Sequence, residues 1–160
     1  MKQLEEIDLF AGFRPDGEKV AEKIQVKNIG EGEYELVRSP CFAKGLALGD
    51  KIAFDSKDNS FELKTHSGNV CIRVYARDDV SALQADITPQ IEKMGGSLDY
   101  ENQRLLVYSI HVSCGFKEIE RIFNDHIDED AEQMWLYGNV YDPTDGVTPL
   151  NWWQSILNEK

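Results

Sequence analysis

The sequence predicts an α+β protein built in two parts, and three observations carry that prediction. Short alternations of apolar and polar residues, broken by turn residues, fill residues 18 to 75 and mark a run of half-buried strands. From residue 70 onward, segments with apolar residues every three or four positions are interleaved with further alternating segments, as in a sheet covered by helices. The charge is also uneven: residues 1 to 75 hold 11 Lys or Arg against 13 Asp or Glu, and residues 76 to 160 hold 6 against 16.

The first segment, residues 1 to 17, has no sustained periodicity and reads as an N-terminal arm. "EKIQVKNI" alternates around Ile24, Val26 and Ile29, the signature of a strand with one buried face. "GEGEYELV" turns on its glycines and enters a second strand at Tyr34 to Val37. Three more strands are expected around Lys51 to Phe54, Phe61 to Lys64 and Val70 to Tyr75, with "DSKDN" and "HSG" as hairpin turns between them. Five short antiparallel strands in so few residues predict a small, strongly bent barrel of SH3-like type over residues 18 to 70.

In "DVSALQADITPQIEKMGG" the residues Val80, Leu83, Ile87, Ile91 and Met94 share one helix face, and glycines follow where the helix stops. Pro89 inside that pattern predicts either a kink or a helix that starts near Thr88. "SLDYENQRLLVYSIHV" reads as two strands joined at "ENQ". "GFKEIERIFNDHI" places Phe116, Ile119, Ile122, Phe123 and Ile127 on one helix face, and "QMWLYGNVYD" closes as a strand. Strand, helix, strand, strand, helix, strand is the split βαβ plan of ferredoxin-like domains, expected over residues 71 to 142. In the tail, residues 143 to 160, Thr148 and Pro149 have the pattern of a helix N-cap followed by proline at the first position.

Composition narrows the functions. A net charge of −12 argues against nucleic-acid and anionic-membrane partners, which require basic surfaces, and suits a basic protein partner. No apolar run reaches membrane-spanning length, and "MKQLEEIDLFAGF" lacks the apolar core of a signal peptide, so a cytoplasmic location is expected. Cys41, Cys71 and Cys114, odd in number and widely spaced, fit a reducing compartment.

The stretches "SPCFAKGLALGDKIAF" at 39 to 54 and "SGNVCIRVYA" at 67 to 76 resemble the bacterial family named domain of unknown function 4265. The resemblance extends from about Glu18 to Tyr141, and Cys41 stands where the family pattern implies a bulky apolar residue. It implies the two-part layout and no activity. Read physically, Pro40, Gly45 and Gly49 set turns, and Asp50 is placed to accept hydrogen bonds from the turn's own backbone.

Chemistry-bearing constellations are sparse. In "SIHVSCGFKE", Cys114 precedes a helix whose N-terminus would lower a thiol pKa, and His111 lies three residues upstream, yet a structural thiol is the expectation. His66 is placed in a polar turn and His126 at a helix end, and neither completes a metal set; no metal and no cofactor is expected. "NDHIDEDAE" gathers Asp125, Asp128, Glu129, Asp130 and Glu132 at the C-terminal end of a helix, where the dipole disfavours anions. Such a run is either a solvated loop or a patch presented to a basic partner, with Trp152 or Trp153 as an anchor beside it. The expected function is therefore a non-enzymatic acidic binding protein, most concretely an immunity protein that covers a toxin domain such as a nuclease. The alternatives are a small-molecule-binding regulatory module, with a pocket where the two parts meet, and a thiol enzyme using Cys114.

Overall fold

The computed structural model describes residues 4–157, arranged as two antiparallel sheets and three helices. In the first sheet, β1 (Leu4–Phe13), β2 (Lys19–Gly30), β3 (Glu33–Leu36), β4 (Lys51–Asp55) and β5 (Ser60–Thr65) pair in chain order. The sheet curls until the Phe10 N–H on β1 donates to the Asn59 carbonyl at 2.9 Å, just before β5, but it does not close into a barrel. The second unit runs β6 (Asn69–Ala76), α1 (Ser81–Lys93), β7 (Ser97–Glu101), β8 (Leu105–His111), α2 (Phe116–His126) and β9 (Gln133–Tyr137), with strand order β7-β8-β6-β9. A short α3 (Trp153–Leu157) ends the described chain.

Local sequence accounts for most of this. Alternation along β2 sends Glu22, Ile24 and Val26 inward while Lys23, Gln25 and Lys27 face solvent. The spacing of α2 buries Ile119, Ile122 and Phe123 and leaves Phe116 and Ile127 half-buried. After α1, Gly95 takes a left-handed conformation (φ 88°), and Gly96 lets the chain pass so close to β8 that a Cβ there would lie 2.6 Å from the Ser109 carbonyl oxygen.

Five expectations are corrected. Residues 4–13, read as an arm, form β1, which pairs with β2 from Leu4↔Lys27 to Phe13↔Lys19. Its alternation is hard to read because it is an outer strand that fully buries only Leu9 and carries a bulge between Phe10 and Phe13. Val70 to Tyr75, expected both as a fifth barrel strand and as the opening strand of the second unit, is only the latter, an inner strand of the second sheet, so "HSG" is a crossover between sheets and not a hairpin turn. The helix does not start near Thr88, one of the two readings of Pro89: α1 runs through that proline from Ser81 to Lys93. Thr148 does not cap a helix: its hydroxyl and N–H donate to Asp145, Pro149 bridges to Tyr141, and α3 begins only at Trp153.

β6 positions everything that follows. Val70, Ile72, Val74 and Ala76 face α1 and α2 in a core shared with Leu83, Ile87, Ile91, Leu106, Tyr108, Ile119 and Phe123. Cys71, Arg73 and Tyr75 face the other way, toward the first sheet. The irregular segment 37–50 fills the space between: Ala43 and Leu46 join Leu9, Ile24, Val26, Leu36 and Ile52, while Cys41 and Ala47 pack with Cys71, Leu105 and Val107.

Candidate functional site at the junction of the sheets

Segment 37–50 has no regular secondary structure, so its backbone groups depend on side chains for partners. Glu22, turned inward from β2, supplies three of them. Its carboxylate accepts from the N–H groups of Cys41, Phe42 and Ala43 at 2.7, 2.8 and 2.9 Å, and from Arg38 Nη1 at 3.3 Å. Asp99, from β7, accepts the Ser39 N–H at 2.8 Å and the hydroxyls of Ser97 and Ser109. Asp50 accepts from the Ala47 N–H within its own turn and from the Ser67 N–H across the crossover. Burial outweighs those bonds and raises the Asp50 pKa to about 6.

Arg73 holds the same segment from the other side. Its residue is 3 % exposed. Nε and Nη2 donate to the Pro40 carbonyl, and Nη2 also donates to the Ala43 carbonyl at 2.5 Å. Among the described residues no carboxylate pairs with it, and its hydrogen bonds go to these two carbonyls alone. Gly138 makes room for the guanidinium, since a Cβ there would lie 3.2 Å from Arg73 Cζ and 2.6 Å from Cys71 Sγ. A buried cation bonded only to neutral carbonyls keeps its charge uncompensated, which is costly unless an anion completes it.

Arg73 lines a cavity of about 520 Å³ along the outer edge of β9, walled by Trp135, Tyr137, Gly138 and Tyr141. Lys44 from the junction segment enters the same space and takes part in no ion pair among the described residues. Two acids also line it, each hydrogen-bonded to neutral donors and in no ion pair among the described residues. Glu120 accepts from the Tyr137 hydroxyl at 2.7 Å, and Asp142 accepts from the Thr144 N–H and hydroxyl. Burial first, and then Glu120, raises the Tyr137 pKa, so that phenol stays protonated. A second cavity, about 760 Å³, lies between Phe10, Phe13 and Phe61 of the first sheet and the tail at Pro143, with Lys44 again on its wall.

The residues singled out from sequence lie elsewhere. Asp128 caps a turn of 3-10 helix at Glu129–Ala131 by accepting the Asp130 N–H. Glu132, at a left-handed φ of 58°, pairs with Arg77 at 2.6 Å, and Asp125 lies 3.9 Å from Arg121. Of the five carboxylates, those of Glu129 and Asp130 take part in no hydrogen bond or ion pair among the described residues. The anchoring role expected of Trp152 is corrected: it is buried, donates to the Asn139 carbonyl at 2.8 Å and stacks on His66 at 4.8 Å. Trp153 packs edge-on to Phe116 at the start of α2, while the acidic run begins at its end, about 15 Å away by helical rise. The two features therefore do not form one patch.

His111 and Cys114 are likewise not paired. His111 Nδ1 accepts the Ser113 N–H, and the Cys114 thiol donates to the Met94 carbonyl. Burial pushes the Cys41 and Cys71 thiols up to about 11, which leaves them unreactive near neutral pH. His66 is not in a polar turn but half-buried against Trp152, and burial lowers its pKa. His126 Nε2 meets Gln90 Nε2 at 2.7 Å. No group of three or more His, Cys, Asp and Glu side chains is disposed to hold a metal among the described residues, and no described helix is long and apolar enough to cross a membrane.

Sequence reasoning missed Glu22, Arg73 and Lys44, although two of them left a signal. Glu22 shares the inward register of Ile24 and Val26, and Arg73 interrupts "VCIRVYA", a strand apolar on both faces. A charge in either setting must find a partner inside the protein.

The fold and site thus define an α+β protein with a polar junction and an edge groove. The chain belongs to the family described as Domain of unknown function (DUF4265), whose model matches residues 22–134. That span contains Glu22, the junction segment and Arg73. A solved structure titled "Novel crystal structure of a hypothetical protein from Neisseria gonorrhoeae" shares the fold, with a TM-score of 0.63 and 20% identity over 86% of this chain and 94% of that one. No curated protein matches.

Proposed function

We propose that the protein is a non-enzymatic binding module that takes a small anionic ligand in the junction groove. The observation that carries this reading is Arg73: a buried guanidinium with no carboxylate partner among the described residues, on the wall of a ligand-sized cavity. Lys44, on the wall of the same cavity, adds a second cation with no ion pair among the described residues. The scaffold fits the reading. The second unit's strand order and two covering helices support a ferredoxin-like split βαβ plan, and the curled first sheet supports an opened SH3-like barrel.

Isothermal titration with inorganic phosphate, pyrophosphate and benzoate tests it. Saturable binding of at least one anion, weakened tenfold or more by Arg73→Met or Lys44→Ala with the fold intact, is expected. Absence of binding by all three and by longer carboxylates would end the proposal.

A second reading has its own support. The exposed Glu129 and Asp130, together with the −10 carried by residues 76 to 160, favour capture of a basic protein such as a toxin domain, as an immunity protein would do in the cytoplasm. Retention of one basic lysate protein by the native chain at low salt, lost on Glu129→Gln with Asp130→Asn, is the outcome this reading requires.

A further inference from the structure

We infer that the ligand is an amphipathic anion, with its charged head at Arg73 and Lys44 and an extended apolar chain lying between Phe10, Phe13 and Phe61. This inference rests on the anion reading above and adds the second cavity to it. Lys44 and Pro143 stand on the wall of both cavities, so the two spaces meet at one cation. Pro143 is seated against the junction segment, where a Cβ on Gly45 would lie 3.9 Å from its ring. The chemistry changes across that point. On one side are the guanidinium, the ammonium group, polar aromatic rings and the hydrogen-bonded carboxylates of Glu120 and Asp142; on the other, phenyl rings predominate beside Ser60 and Thr144.

The phenyl side is poorly covered by the protein itself. Phe13 is 65 % exposed although it packs edge-on to Phe10 at 5.2 Å, and Phe61 is only half-buried. Exposed aromatic side chains around a concave surface lose water when an apolar group covers them. A short anion would satisfy Arg73 and leave that surface wet. An uncharged hydrocarbon would fill the phenyl side and leave the buried cation unmatched. A medium-chain carboxylate does both at once.

The test compares benzoate, octanoate, decanoate and decanol, read by titration calorimetry and by Trp135 fluorescence. Decanoate is expected to bind on the order of tenfold more tightly than octanoate, the difference two buried methylenes make, and far more tightly than benzoate. Phe13→Asp, at an exposed position, should abolish the chain-length gain and leave benzoate unaffected. Lys44→Glu should weaken every carboxylate. Equal affinity for benzoate, octanoate and decanoate would overturn the extended ligand while leaving the anion reading in place. Equal affinity for decanol and decanoate, unmoved by Lys44→Glu, or a failure of every carboxylate to bind would overturn the amphipathic ligand, and the anion reading falls with it only if phosphate and pyrophosphate also fail to bind.

Discussion

Two regions of this molecule concentrate carboxylates, and they use them in opposite ways. Between 125 and 132 the acids are exposed and serve local needs: a cap by Asp128 and surface pairs from Glu132 and Asp125. At the junction, Glu22 and Asp50 are buried, and between them they accept five backbone N–H bonds. The contrast teaches that the density of charge in the sequence says little about its energetic weight. Exposed acids are screened and cost little to place or remove. A buried acid must be matched, so each one marks a place where tertiary structure has been organised around it.

The sharpest way to break this comparison is Glu22→Ala. Three backbone N–H groups would lose their acceptor in a region too enclosed for water to replace it fully, and stability should fall by about 3 kcal/mol or more. Glu22→Gln, which keeps one acceptor oxygen, should fall in between. Urea unfolding measures both, and a Glu22→Ala cost no larger than that of a surface change would show that the junction does not depend on this carboxylate.

Asp50 gives the next largest effect. Its folded pKa of about 6 lies above the ordinary 3.8, so the folded chain holds an extra proton between those values. The stability this contributes is fully present below about pH 3.8 and is lost as pH rises through about 6, with a ceiling of roughly 3 kcal/mol. Asp50→Asn should flatten that part of the pH profile, read as the urea midpoint from pH 4 to 7. An unchanged slope would mean that the N–H bonds from Ala47 and Ser67 outweigh burial.

The smallest effect belongs to the acidic run. Glu129→Gln with Asp130→Asn should leave the thermal midpoint within about 2 °C of the native value. A larger rise would show that mutual repulsion there carries a real cost.

Legibility divides along the same line. The α2 face, the β7–β8 hairpin and β9 were readable because each is a local periodicity whose buried side is set by its own residues. β1 was not, because an outer strand with a bulge shows little alternation. The acidic run was visible as composition, but its pairing with Arg77, which is 55 positions away, was not.

What the sequence by itself determined is the order and kind of most elements, the excess of negative charge in the second half and the turn chemistry around Gly45, Gly49 and Asp50. Only the tertiary structure decided that β1 pairs with β2, that Trp152 is buried against His66, and that Glu22 and Arg73 hold segment 37–50 from opposite sides. The physical reason is range. Periodicity acts within a few residues, whereas a buried charge is satisfied by whatever the fold brings near, such as Asp99 and Ser39, 60 positions apart, or Arg73 and Ala43, 30 apart.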